Sequence, residues 1–318
     1  MKKQLPTILL ISILIFSCTI YSCRHPSRLN RRVENLRDLP PFTEMFFSGG
    51  KGYEFRNENS NRVYIVLNGS SWNSVMDDDI EFFMPILSKY SVFIPEKFDR
   101  EIGINYWGSI EERERYTIDN LLVNYCDVIT EYLSQNNFES IVIYGYSQGA
   151  YLLPLVYDRL DNPNIKALVS HAGGGWLTYF EQNLVLREHI LSGNEPFVTF
   201  PIGTTFFSNL LLQLFQSEPL PSLPEPITGG ISTTFRYISS IAHLSLLEYY
   251  EKIQIPVLFL HGVLDPIVAV ETTGYLENNL RKDNFTFIYF PDMGHTPNIM
   301  QRDWLNLSIS VWLLRANP

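Results

Sequence analysis

From about Lys51 onward the chain alternates short, nearly unbroken apolar runs with longer amphipathic stretches. The runs at 62–67 (RVYIVL), 90–94 (YSVFI), 140–144 (SIVIY), 165–170 (IKALVS), 255–260 (IPVLFL) and 285–290 (FTFIYF) are rich in β-branched and aromatic residues. Such runs suit strands buried on both faces. Between them, helical spacing of apolar positions predicts helices over 113–133, 148–160 and 303–314, the last an amphipathic closing helix. A further helix is expected over 77–89, started by acids and kinked at Pro85. Strands alternating with helices predict an α/β fold, a mostly parallel central sheet flanked by helices on both faces. The rhythm breaks over 173–252, which lacks a clear strand and carries apolar helical patches (Phe206, Phe207, Leu210, Leu211, Leu214), a Pro-rich run and Gly229-Gly230. We read it as a helical cap inserted between the two parts of the core, 51–172 and 253–318.

Composition narrows the class. The chain has 318 residues, 45% of them hydrophobic, which suffices for one large core with an insertion. A net charge of −10 argues against a nucleic-acid partner, because phosphate binding needs a basic face. The first 23 residues stand apart. Lys2 and Lys3 precede a short apolar stretch from Thr7 to Phe16, then Ser17 and Cys18, with a second similar ending at Ser22-Cys23. This is the layout of an export signal, and it resembles a bacterial lipoprotein signal in which Cys18 or Cys23 takes the lipid. The expectation is an exported protein of the cell envelope, held at the membrane by that lipid or by an uncleaved N-terminal anchor, with 24–50 as a linker that is basic and polar over 24–37. Cys126 is the one cysteine beyond the first 23 residues, so the folded part has no internal disulfide, and it falls in a helical pattern as a buried apolar residue. No Cys/His spacing suggests zinc.

Chemistry concentrates in three places. Gly145-Tyr146-Ser147-Gln148-Gly149 follows one predicted strand and opens a predicted helix. A tight strand-to-helix turn lifts a serine Oγ above the sheet edge, and flanking glycines remove the Cβ atoms that would collide. A serine hydroxyl needs a base within reach and a carboxylate to orient that base. Asp265 lies in the loop after the 255–260 strand, and His295 in the loop after the 285–290 strand. All three candidates follow the C-terminal ends of strands, the edge where sites form in parallel α/β sheets. Rivals are present. Asp292 lies three residues before His295 and fits a turn-shaping role better than that of the acid. His261, before Gly262, fits a structural role. His171, before Ala172-Gly173-Gly174-Gly175, fits either the pocket wall or loop packing. His189 and His243 fall in the cap.

With Gly145-Tyr146-Ser147-Gln148-Gly149, His261-Gly262-Val263-Leu264-Asp265-Pro266 and Gly294-His295 in this order, the chain from about Tyr53 to Leu314 resembles the α/β-hydrolase superfamily, esterase- or lipase-like. The resemblance implies Ser147 as nucleophile, Asp265 as acid and His295 as base. It implies an oxyanion hole from the N–H of Gln148 and a second N–H in the loop Leu67-Asn68-Gly69-Ser70-Ser71-Trp72, chosen here as Ser70 with Ser71 as the neighbour. Many members have His-Gly where this chain has Asn68-Gly69. It further implies a serine hydrolase cleaving carboxylic esters through an acyl-enzyme, with a small-molecule ester or acyl substrate and no metal or organic cofactor. Peptidase, thioesterase or acyltransferase chemistry uses the same residues; a peptidase would need acids to hold a substrate amine, and Glu111, Glu112 and Glu114 lie in one polar stretch that a solvated helix start explains as well. An inactive envelope binding protein of the same fold is the remaining alternative.

Overall fold

The computed structural model describes residues 39–70, 74–77, 80–98, 100, 115–192 and 240–318. Eight strands form one sheet in the order β1-β2-β4-β3-β5-β6-β7-β8. They are β1 (Thr43–Phe47), β2 (Gly50–Phe55), β3 (Arg62–Leu67), β4 (Ser91–Pro95), β5 (Ser140–Tyr146), β6 (Ile165–His171), β7 (Val257–Gly262) and β8 (Phe285–Phe290). From β4 to β8 every neighbouring pair is parallel, while β1–β2 and β2–β4 are antiparallel. The described helices are α1 (Ile118–Ser134), α2 (Gln148–Leu160), α3 (Tyr179–Leu191), α4 (Leu247–Lys252), α5 (Glu271–Leu280) and α6 (Ile299–Ala316). Each sheet face carries its own cluster. Ile65, Phe93, Ile143 and Phe259 pack with α1 and α2 on one side, and Tyr64, Val66, Tyr144 and Leu258 pack with α6 on the other. None of the described helices is long and apolar enough to cross a membrane.

The order of strands fixes where a site can form. The chain runs from β3 outward to β4, then returns to the other side of β3 as β5. At such a reversal, the loops leaving the two central strands part in opposite directions and open a crevice at their C-terminal ends. Leu67, the last residue of β3, is in register with Gly145 of β5. The loops after β3 and β5 therefore face each other across that crevice.

Several expectations need correction. The segment expected to link anchor and domain, 24–50, already contains β1, and β2 begins at its last residue, Gly50. Both strands were hidden for a physical reason: β1 is a largely exposed edge and β2 (GKGYEF) carries two glycines in place of β-branched residues. Over 77–89 the structure has 3₁₀ turns, Val75–Asp77 and Ile80–Ser88, instead of an α-helix. Pro85 has no N–H to close an α-helical bond there. Helix α1 starts at Ile118, where Thr117 caps it by accepting from Asn120 N–H at 3.3 Å; 101–114 lie outside the described residues. Helix α6 is not amphipathic. Leu305, Ile309, Trp312 and Leu313 are buried, yet Met300, Trp304, Leu307 and Leu314 are exposed. Of the expected cap, 193–239 lie outside the described residues, with Phe206, Phe207, Leu210, Leu211 and Leu214 among them; what is described of the interval is helical or loop. Cys126 is buried, and desolvation pushes its thiol up to about 12, so it is an inert packing residue.

Glu96 follows β4 and is fully buried; burial pushes it up to about 7, against hydrogen bonds from Ser74 and the N–H groups of Lys97 and Val75. Its pKa is raised on folding, so the folded state binds the proton more tightly. Stability on this account is full below about pH 4.5 and falls as pH rises toward 7, by about 3 kcal/mol. Urea midpoints for wild type and Glu96→Gln at pH 5 and pH 8 check this: the wild type should lose ground relative to the variant at the higher pH.

Candidate active site

The turn from β5 into α2 is built by close backbone approach. A Cβ at Gly149 would lie 1.9 Å from the Leu67 carbonyl oxygen, and one at Gly145 would lie 2.5 Å from the Gly149 oxygen. Real side chains cannot occupy either place, so α2 can leave β5 this sharply only with glycine at both. Between them Ser147 is held at φ 52° and ψ −113°, a conformation that L-residues avoid. Its N–H donates to the His171 carbonyl at 2.9 Å, which ties the turn to the end of β6.

The three separated candidates meet here. His295 Nε2 lies 2.9 Å from Ser147 Oγ, and His295 Nδ1 lies 2.8 Å from Asp265 Oδ2. Asp265 is fixed in turn, because its Oδ1 accepts from Ile267 N–H at 2.8 Å and Val268 N–H at 2.9 Å. Burial alone would raise the Asp265 carboxyl, but hydrogen bonds from His261 and His295 together outweigh it and hold it well below the usual carboxylate range. Asp265 is thus a permanent anion, and its bond to Nδ1 leaves Nε2 as the nitrogen facing the serine.

The rivals take other places. Asp292 is exposed, and its carbonyl accepts from the Gln301 side chain. His261 stands behind Asp265: its Nε2–H donates to Val268 O at 3.0 Å and lies 3.5 Å from Asp265 Oδ2, and Nδ1 is 2.8 Å from Thr273 Oγ1. His171 does line the cavity, but burial beside His295 and His261 pushes it down to about 3. It is neutral, pairs through Nδ1 with Tyr144 OH at 2.6 Å, and leaves Nε2 unpartnered. His189 pairs with Glu271 at 2.6 Å, and His243 packs at a tilt against Phe180, ring centroids 5.6 Å apart.

The oxyanion candidates also lie in the crevice. Gln148 is the first residue of α2, whose leading N–H groups have no intrahelical carbonyl. Across from it, a Cβ at Gly69 would lie 3.0 Å from the Tyr146 ring and 3.4 Å from Ser147 Cβ, so the β3 loop lies beside the serine. Asn68, where many α/β-hydrolases have histidine, uses Oδ1 to accept from Gly69 N–H at 3.0 Å. That occupies the Gly69 donor; Ser70, the next residue along the loop, lines the cavity. Ser71 and Trp72 lie outside the described residues.

Above these groups opens a cavity of about 570 Å³. Its walls are largely apolar, with Ile80, Phe82 and Phe83 on one side and Tyr151, Tyr179 and Ile241 on another. Described residues of the expected cap therefore contribute to it. Among the described lining residues none is an aspartate or glutamate.

No family model matches the chain, and no curated protein matches it. Solved structures do. Est1E from Butyrivibrio proteoclasticus aligns with a TM-score of 0.57 at 14% identity, covering 86% of this chain and 98% of that one. A thermophilic esterase from Thermogutta terrifontis aligns at 0.53 and 15% identity, covering 87% and 100%. The acylaminoacyl peptidase of Pyrococcus horikoshii aligns at 0.57 and 16% identity, covering 88% of this chain but 43% of its own. The chain has the α/β-hydrolase fold.

Some neighbours of the α/β-hydrolase turn were not singled out from sequence. Tyr146 sits between His171 and His295, with ring centroids 5.0 and 5.3 Å away, and its OH reaches the His295 carbonyl at 3.2 Å. It is the variable position of G-x-S-x-G, so the motif gave no reason to weigh it. Tyr116 OH donates to Gln148 Oε1 at 2.9 Å, a contact no spacing announces.

The strained serine backbone makes a measurable prediction. Ser147→Ala and Ser147→Gly both remove the hydroxyl, but only glycine tolerates φ 52°, ψ −113° at no cost. Ser147→Gly should be more stable than Ser147→Ala by about 1–3 kcal/mol in chemical denaturation. Equal stabilities would mean that the turn carries no strain.

Proposed function

We propose that the protein is a serine hydrolase that cleaves carboxylic esters. The observation that carries this reading is the hydrogen-bonded chain Ser147 Oγ–His295–Asp265, at 2.9 and 2.8 Å, on the floor of a largely apolar cavity. In this reading His295 Nε2 takes the Ser147 proton as Oγ attacks the ester carbonyl. The Asp265 anion stabilises the imidazolium that forms. The N–H groups of Gln148 and Ser70 hold the oxyanion. His295 then passes the proton to the departing alkoxide, leaving an acyl-enzyme and a free alcohol. Water, deprotonated by the same nitrogen, attacks the acyl group, and collapse returns the proton to Ser147 and releases the acid. The steps use the side chains of Ser147, His295 and Asp265, two backbone N–H groups and one water.

Esters are favoured over aminoacyl amides by the cavity wall. A substrate ammonium needs an anion, and the described lining offers no carboxylate side chain. Glu111, Glu112 and Glu114 lie outside the described residues. An inactive binding protein has no reason to keep a buried aspartate anchored by two N–H groups behind the histidine. From residues 1–23, outside the described residues, we further propose attachment to the cell envelope through a lipidated Cys18 or Cys23.

Purified protein should hydrolyse activated esters, with a preference among graded acyl lengths. Ser147→Ala should lose about a thousandfold or more in kcat. A fluorophosphonate should label the wild type at Ser147 and leave the variant unmodified. Ester turnover that survives unchanged in Ser147→Ala contradicts the proposal.

A further inference from the structure

The end of β4 carries two buried ionisable residues that the chemistry above does not use. Glu96 and Lys97 are both fully buried, directly after Pro95. Next to them Phe98 adopts φ 58°, a left-handed conformation unfavourable for an aromatic residue, and its N–H donates to Asn124 Oδ1 at 3.2 Å. Glu96 N–H is held by the Lys51 carbonyl at 2.8 Å. The bend is thus fixed on both sides, and it turns two consecutive charged side chains inward.

Both side chains grip the same loop. Glu96 accepts from Ser74 Oγ at 2.5 Å and from Val75 N–H at 3.0 Å, at the far end of the segment that follows β3. Lys97 Nζ donates to the Gly69 carbonyl oxygen, at the near end. Gly69 lies beside Tyr146 and Ser147, and Ser70 lines the cavity. In a planar trans peptide, the carbonyl of one residue and the N–H of the next point in opposite directions. An ammonium that draws the Gly69 oxygen to itself therefore directs the Ser70 N–H away from Lys97. A cation on the carbonyl also polarises the peptide and strengthens the N–H at its other end as a donor.

We infer that Lys97 is a positioning residue for the oxyanion hole: by binding the Gly69 carbonyl it sets the Gly69–Ser70 peptide so that the Ser70 N–H serves the developing oxyanion. This rests on the serine-hydrolase reading. Lys97 touches neither substrate nor the reacting atoms, so its effect belongs to the transition state and not to substrate binding.

The test compares wild type, Lys97→Met and Lys97→Arg on a matched pair of substrates, an ester and its thionoester, in which C=S replaces C=O. Sulfur is a poor hydrogen-bond acceptor, so a working oxyanion hole favours the oxygen substrate. Lys97→Met should lower kcat on the ester about ten- to a hundredfold with KM within about twofold, and should shrink the ester-to-thionoester ratio of kcat/KM. Lys97→Arg, which keeps a cationic donor, should recover part of both. A folded Lys97→Met with unchanged kcat overturns the inference. So does one that loses both substrates equally, which is the signature of a general structural defect. Should Lys97→Met fail to fold, Lys97→Gln is read by the same ratio. A crystal structure of the folded variant separates this inference from the hydrolase reading. A Gly69–Ser70 peptide rotated from its wild-type plane supports the positioning role, and an unmoved peptide contradicts it, whatever the enzyme's substrate. A wild type with no Ser147-dependent turnover of either substrate contradicts the hydrolase reading instead.

Discussion

The first turn of α2 rests on the last carbonyl of β3, with no room between them for a single methyl group. This contact decides the geometry of everything above the sheet. It lets β5 turn into α2 within three residues, and so it raises Ser147 over the crevice where the strand order reverses. The same approach brings the β3 loop against the serine from the other side. A helix packed at an ordinary distance would leave the hydroxyl and the loop N–H groups too far apart to act on one carbonyl. The cost is a serine backbone in a forbidden region, sustained by the His171 carbonyl that accepts its N–H and by the buried strands on either side.

Around that turn, polar groups are held by backbone more than by one another. Asp265 takes two N–H groups of its own loop, and His261 packs behind it. Ser147 is bonded to the end of β6, and the β3 loop is gripped by Glu96 and Lys97 from β4. Each of the central strands therefore delivers one component at its C-terminal end, and the sheet ties those components together. Burial supplies the electrostatic part: it keeps His171 neutral while hydrogen bonds keep Asp265 ionised, so neighbouring groups take different charge states.

Much of this was legible in the sequence because it is local. Strands β3 and β8 and helix α2 have the bounds that the apolar runs and the glycine-flanked serine predict. Ser147, Asp265 and His295 stood out because each follows such a run, and the structure brings them into one chain of hydrogen bonds. What the pattern hid depends on tertiary context. The edge pair β1 and β2 has little burial or glycines where β-branched residues would signal a strand. Helices α3 and α5 are short of apolar periodicity, and α5 (ETTGYLENNL) reads as polar loop. Lys97 gave one signal that can be recovered in hindsight: an acid and a base directly after a buried strand, where water cannot reach them.

The central claim is that the serine, imidazole and carboxylate act as one unit. A double-mutant cycle on kcat for an activated ester tests it most directly, with Ser147→Ala, His295→Ala and the double variant. If the groups act together, each single variant loses nearly as much as the double, because either change already dismantles the proton path. Losses that multiply, so that the double variant is slower than each single by the product of the separate effects, would show that the two residues contribute independently and would contradict the account.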